Sequence, residues 1–275
     1  MTGPGLPGEA APLRYEPPLR YEEWPPPAAL APYVQTCWAF SVVGPATLHH
    51  IPPDGCLSLV VMSDGPGLAL SGPQLTARPI PVHPGEWFRG VRMRPEAAGL
   101  LAGVLPAAWR GRGGPLAEAA PTVATPLLAA LNGKNDEAAF ARLLDALAVR
   151  AATLPPPDAL VGAAVDAIER HVATAAAELR VDALAAELGV SARTLQRRFA
   201  AVAGVSPKAY ARVRRFRLAL SNLLRATPDA WGRVAAELGF ADQAHLTREC
   251  AAFMGLPPTA VSPHTRRIEH VGVTP

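Results

Sequence analysis

Arg193, Gln196 and Arg197 alternate with the apolar residues Leu195, Phe199 and Val202 at three- and four-residue spacing. On a helix, that spacing puts the polar three on one face and the apolar three on the other. An arginine fork pairs with guanine O6 and N7, and a glutamine amide with adenine N6 and N7. A helix that turns these groups outward can therefore read base edges in a major groove. A second set, Gln243, Ala244, Thr247 and Arg248, is interleaved in the same way with Leu246, Cys250 and Phe253. His245 belongs beside this set, either as a base or phosphate contact or as a packing residue at the preceding turn.

The elements that must present these residues are legible around them. Val181–Phe199 (VDALAAELGVSARTLQRRF) is echoed by Trp231–Cys250 (WGRVAAELGFADQAHLTREC). Each copy reads as an apolar-faced helix, a glycine turn and a second helix, the pattern of a helix-turn-helix. Leu184, Ala185 and Leu188 form the buried side of the first leading helix, and Val234, Ala235 and Leu238 that of the second. Gly189 supplies a left-handed turn, and Ser191 and Asp242 are expected to cap the two reading helices. Ser206-Pro207 opens a long connecting helix to about Leu224, which spaces the two units for neighbouring stretches of groove. Within 193–217 there are eight basic residues and no acidic one, a charge pattern suited to phosphates. The expected backbone contacts are Ser191, Lys208, Arg212, Arg214, Arg215 and Thr247.

Charge divides the chain in the same place. Residues 1–159 hold 11 basic and 13 acidic residues, a net −2, whereas 160–275 hold 15 and 10, a net +5. Leu154-Pro-Pro-Pro-Asp158 reads as the linker between the halves. Before it, Asp136–Ala151 carries an apolar stripe of Phe140, Leu143, Leu144 and Leu147, read as intramolecular core or, more sharply, as a dimer contact. Earlier still, short β-type runs are expected at Val34–Val43, Thr47–Ile51, Leu57–Met62, Leu68–Leu70, Ile80–Val82 and Glu86–Met93. Pro95 opens a helical segment. Residues 1–29 read as a proline-rich, poorly ordered arm, and 266–275 as a tail.

Residues of about 160–262 resemble the DNA-binding domain of the AraC/XylS family of bacterial regulators. The match rests on LAAELGVSARTLQRRFAAVAGVSPKAYARVRRFRLAL and on VAAELGFADQAHLTREC with FMGLPPTAV after it, in the family's order and spacing. The resemblance implies two helix-turn-helix subdomains joined by a helix. It makes Arg193, Gln196 and Arg197 the first set of groove readers, and Gln243, Ala244 and Arg248 the second. Cys250 stands where the family usually has an aromatic residue, and Ala251-Ala252 replaces commonly basic positions. The second subdomain is thus expected to pack less tightly, or to touch fewer phosphates. In the first half, PPDGC at 52–56 with LSLVV, and WFRGVRMRPEAAGLL at 87–101, resemble an N-terminal domain of a subgroup of such regulators, which implies a sensing or dimerising module.

Enzymatic readings find no support in motifs: there is no GxSxG, phosphate loop or HExxH. His49, His50, Asp54, Cys56 and His83 have no spacing diagnostic of a metal site. Cys56 is either a quiet buried thiol or a sensor acidified by Arg89, Arg92 or Arg94. Trp38, Phe40, Trp87 and Phe88 line a pocket or form a small β core. The three cysteines, odd in number and far apart, fit a reducing cytoplasm, and the amino terminus does not read as a secretory signal.

The expected fold is an α+β N-terminal domain, a small sheet or barrel with helices, followed by an all-α domain. The expected boundaries are 1–29 for the arm, 30–157, 158–265 and 266–275. The expected activity is sequence-specific DNA binding in transcription regulation, cytoplasmic, with no cofactor, no metal and no membrane. Expected partners are double-stranded DNA, a small-molecule effector, a second copy of the chain and, for an activator, RNA polymerase. The competing readings are control by a protein partner without a ligand, and a DNA-repair enzyme with a regulator-like tail.

Overall fold

Short runs of alternating apolar and polar residues, closed off by glycine and proline, shape the first half of the chain into strands. The computed structural model describes residues 19–65, 67–133, 137–174, 179–225, 231–265 and 268–271. The strands are β1 (Leu19–Trp24), β2 (Val34–Val42), β3 (Thr47–Ile51), β4 (Ser58–Met62), β5 (Ala69–Ser71), β6 (Arg78–Val82), β7 (Trp87–Met93), β8 (Gly113–Pro115) and β9 (Ile268–Val271). Among the described residues, one sheet has the order β8-β5-β4-β7-β2-β1-β9, and β3 pairs with β6 as a separate ribbon. Neighbours are antiparallel except β9, which runs parallel to β1 with Ile268 opposite Leu19.

Alternation gives this sheet two apolar faces. One face, with Cys37, Leu59, Val61, Leu70, Val91 and Met93, packs on α1 (Ala98–Ala102), α2 (Leu116–Ala119), α3 (Pro121–Leu131) and α4 (Glu137–Ala151). The stripe on α4 is part of this core: Phe140, Leu143 and Leu147 are buried and Leu144 half-buried. The other face buries Leu19, Phe40 and Val42 against Val82 of the ribbon, with Trp38 and Phe88 beside them. Phe40 and Phe88 thus belong to a β core.

Beyond the prolines at 155–157 the chain is helical: α5 (Ala159–Ala173), α6 (Val181–Glu187), α7 (Ala192–Ala203), α8 (Pro207–Arg225), α9 (Trp231–Glu237), α10 (Gln243–Met254) and α11 (Pro258–Thr265). Two cores form along α8. Its first turn supplies Tyr210 and Ala211 to a cluster with α5, α6 and α7. Its remainder supplies Val213, Phe216, Ala219, Leu220 and Leu223 to a cluster with α9, α10 and α11. The fold is therefore an N-terminal sheet domain with a few helices, followed by an all-helical domain.

Two expectations need correction. Residues 19–24 are not part of an arm: LRYEEW alternates and pairs with β2 along its whole length, and Leu19 is buried. Residues 28–30 form a 3-10 turn with Leu30 fully buried. The proline-rich start at 1–18 lies outside the described residues. In the expected tail, Ile268–Val271 joins the sheet edge. Residues 113–115 add an edge strand, β8, whose backbone pairs with β5.

The halves are also more closely joined than a linker implies. Tyr33 donates its hydroxyl to Pro155 O at 3.1 Å, and Asp158 N–H donates to Glu96 O at 3.0 Å. Asp158 then caps α5 through Val161 N–H and pairs with Arg198 of α7. Leu75 and Ala77, from the loop between β5 and β6, pack against the helical cores.

Candidate nucleic-acid interface

Each reading helix is built by the same local chemistry. In the first unit, Gly189 takes a φ of 67° after α6, and Ser191 Oγ accepts Thr194 N–H at 3.1 Å to start α7. Leu195, Phe199 and Ala203 are buried. That rotation leaves Arg193, Thr194, Gln196, Arg197 and Arg198 exposed on the opposite side. Arg198 turns to Asp158, while Arg193, Gln196 and Arg197 are exposed to solvent.

The second unit repeats the arrangement. Asp242 Oδ1 accepts His245 N–H at 2.5 Å, and α10 buries Leu246, Cys250 and Phe253. Gln243, Ala244 and Arg248 are exposed. Cys250 fills its core position with no exposure at all, so a cysteine at this position leaves the second core closed to solvent. His245 is half-buried; its Nδ1 accepts Ala241 N–H at 3.2 Å, and its ring meets Phe240 edge-on at 5.4 Å. Between the two readings left open, this geometry is that of a packing residue at the turn. Thr247 is half-buried and donates its hydroxyl to Gln243 O at 2.9 Å.

The basic run on α8 divides by direction. Lys208 is exposed and Arg215 half-exposed, with the Arg215 guanidinium 4.9 Å from the centre of the Phe240 ring. Arg212 forms a two-pronged pair with the buried Glu249 of α10 and lies 5.0 Å over Phe253. Arg214 points inward, its Nε 2.6 Å from Glu169, which also accepts the Tyr210 hydroxyl at 3.0 Å. Arg217 reaches the N-terminal domain and donates to Pro53 O at 3.5 Å. In this structure Arg212, although exposed, and the half-buried Arg214 are each held by a carboxylate, a tie additional to the backbone contacts expected of them. No signal in sequence spacing separates them from Lys208, because their partners lie 37 and 45 residues away.

Asp54, Cys56 and the histidines of the first half do not converge. Asp54 binds Arg92 at 3.0 Å, His49 stacks on Phe40 at 4.5 Å, and His83 Nδ1 lies 3.2 Å from Glu86. Among the described residues, no three such side chains are placed to hold a metal. Burial and then Asp54 push the Cys56 thiol up to about 12, against the opposing pull of Arg92, Arg214 and Arg217. The acidified thiolate considered from sequence is thus reversed: Cys56 is buried and its Sγ lies 3.4 Å from Asp54 O. Burial raises Cys37 to about 11; burial and then Glu249 raise Cys250 to about 12. A groove of about 280 Å³ between the sheet and α4 is lined by Glu22, Trp24, Ala39, Arg89, Phe140, Ala141 and Leu144. No helix of the described residues is long and apolar enough to cross a membrane.

Residues 184–263 match the model of a helix-turn-helix domain family, and residues 22–113 match a domain of unknown function, DUF6597. No curated protein matches the chain. Among solved structures it is similar to an AraC-type transcriptional regulator from Chromobacterium violaceum, at 24% identity and a TM-score of 0.33, covering 39% of this chain and 91% of that one. The C-terminal domain of AraT, a response regulator from Geobacillus stearothermophilus, is 20% identical with a TM-score of 0.35, over 42% and 89% of the two chains. ToxT from Vibrio cholerae O395 is 9% identical with a TM-score of 0.42, over 90% and 96%.

Proposed function

We propose that this chain, whose residues 184–263 match a helix-turn-helix domain family, is an AraC-type transcriptional regulator that reads two adjacent major-groove segments. The observation that carries this reading is the matched pair of capped helices, each with an exposed Arg/Gln face and a buried apolar one. α8 is 19 residues long, about 28 Å at 1.5 Å per residue. That length suits two units addressing one face of a duplex whose grooves recur every ~34 Å.

In this reading Arg193, Gln196 and Arg197 contact bases in one segment, and Gln243, Ala244 and Arg248 in the next. Ser191, Lys208, Arg215 and Thr247 serve the backbone. Arg212 holds α10 in place through Glu249, and Arg214 supports the first unit through Glu169. His245 shapes the turn before α10. In this reading the regulator works in the cytoplasm on double-stranded DNA, with a second copy of the chain and, where it activates, RNA polymerase as further partners.

Control by a small molecule belongs to the N-terminal domain. Its groove beside Trp24, Phe140 and Leu144 combines an apolar floor with one cation, Arg89, and one carboxylate, Glu22. Such a surface suits a small amphipathic effector. Binding there regulates DNA affinity only by favouring one arrangement of the two domains over another.

Sequencing genomic fragments captured by the full-length protein tests the reading, with an Arg193→Ala/Arg248→Ala double variant beside it. The expected result is a shared two-part motif with the wild type and loss of enrichment with the variant. Equal enrichment of the same fragments by both proteins would refute base reading by these helices.

A further inference from the structure

We propose that the Pro73–Ala77 loop of the N-terminal domain is a positioning element for DNA reading, wedged between the two helix-turn-helix units so that it sets their separation and phase. The inference rests on the two-groove reading above and adds a determinant outside the DNA-binding domain.

Leu75 packs against the core of the first unit and against the core of the second. Two residues on, Ala77 N–H donates to Phe253 O at 2.5 Å. Phe253 lies in the last turn of α10, where helix carbonyls lack partners within the helix; here the partner comes from the other domain. The wedge is itself held firmly. Gly55 N–H donates to Gln74 O at 3.0 Å, Gly111 N–H to Pro73 O at 3.0 Å, and Gly72 N–H to Arg112 O at 2.9 Å.

The end of the other reading helix rests on the same surface. Gly204, which closes α7 with a φ of 79°, lies so near Pro106 that a Cβ would fall 2.7 Å from the Pro106 carbonyl carbon. Pro106–Trp109 leads directly into the 111–112 backbone that anchors the wedge. One rigid platform therefore meets the C-terminal ends of both reading helices. Without it the two units are linked through α8 and the Arg212–Glu249 pair, an arrangement in which each can rock about the shared helix.

Duplex geometry makes the consequence measurable. One inserted base pair moves the second segment by roughly 3.4 Å and rotates it by roughly 35°. A braced pair of units cannot follow that change, whereas a loosened pair can. The experiment is selection from random duplex DNA by the full-length wild type, by Leu75→Ala/Ala77→Pro, which removes the wedge side chain and the donated N–H, and by Arg193→Ala/Arg248→Ala.

The wild type is expected to select two half-motifs at a single spacing, with roughly a tenfold affinity loss for one added base pair. The wedge variant is expected to select the same half-motifs over a spread of spacings, with that loss reduced to roughly threefold. A folded wedge variant that keeps the single spacing and the full penalty would overturn the proposal. Should the double variant not fold, Leu75→Ala alone is put to the same comparison. Absence of any two-part motif with the wild type would instead overturn the two-groove reading itself, so the two failures are told apart.

Discussion

Arg92 is where the sheet domain holds its charge. Only 9% exposed, it donates to Asp54 at 3.0 Å, to Glu23 at 2.9 Å and to the Tyr21 hydroxyl at 3.1 Å. Burial alone would raise the Glu23 pKa; Arg92 and the Tyr21 hydroxyl outweigh it and hold the carboxyl below its ordinary 4.5. A folded value below the unfolded one means that this stabilisation is present above 4.5 and is lost as pH falls through the folded value. Arg92→Met should therefore cost about 3 kcal/mol at neutral pH, the low end for breaking a buried pair because Arg217 remains nearby. It should also reverse the acid response, since burial would then leave Glu23 binding a proton more readily folded than unfolded. Urea unfolding at about pH 7 and about pH 4 checks this; a deficit of equal size at both would show that Arg92 acts through packing alone. The same cluster explains why, of the two readings that the sequence leaves open for Cys56, the quiet buried thiol holds. Nearby arginines are visible in the sequence, but the burial and the Asp54 carboxylate that outweigh them are not.

Glycines at the ends of the elements separate local demands from tertiary ones. Gly189 and Gly204 both have left-handed backbones, with φ of 67° and 79°. A Cβ on Gly189 would meet nothing within 4 Å, whereas one on Gly204 would strike the backbone of Pro106 and Ala107. Gly189→Ala should thus cost about 1–2 kcal/mol, from backbone conformation alone. Gly204→Ala should cost about 3 kcal/mol or more, because the interdomain seat must shift as well. Denaturation of the two full-length variants decides it, and equal losses would mean that the domains do not press together at Gly204. The limits of α7 and α10 could be read from sequence because Ser191, Asp242, Gly204 and Gly255 act within a turn of their helix ends. β1 could not: LRYEEW sits among prolines, and what makes it a strand is pairing with β2 and burial of Leu19. The exposed faces of the reading helices followed from apolar periodicity. The wedge at Leu75 did not, because it depends on cores assembled from residues more than eighty positions downstream.

At the scale of the whole molecule, the net +5 of residues 160–275 against the −2 before them suggests a uniformly cationic second half, yet its arginines face different ways. Lys208 is exposed at the start of α8, while Arg214 is committed to Glu169 and flanked by Tyr210. Counterion release depends on cations that meet phosphates, and each such contact contributes about 0.9 to the slope of log affinity against log salt. Lys208→Ala should therefore weaken binding on every sequence and flatten the slope by about that amount. Arg214→Ala should leave the slope unchanged and instead lower stability by about 1–3 kcal/mol, since the half-buried Glu169 loses its ion-pair partner. Titrations of one duplex at several salt concentrations, beside melting curves, distinguish the two. If Arg214→Ala flattened the slope as much as Lys208→Ala, its guanidinium would have to leave Glu169 when DNA arrives, making the Arg214–Glu169 pair part of the binding transition. An unchanged slope would make it a fixed strut, leaving the salt dependence to the side chains that the fold turns outward.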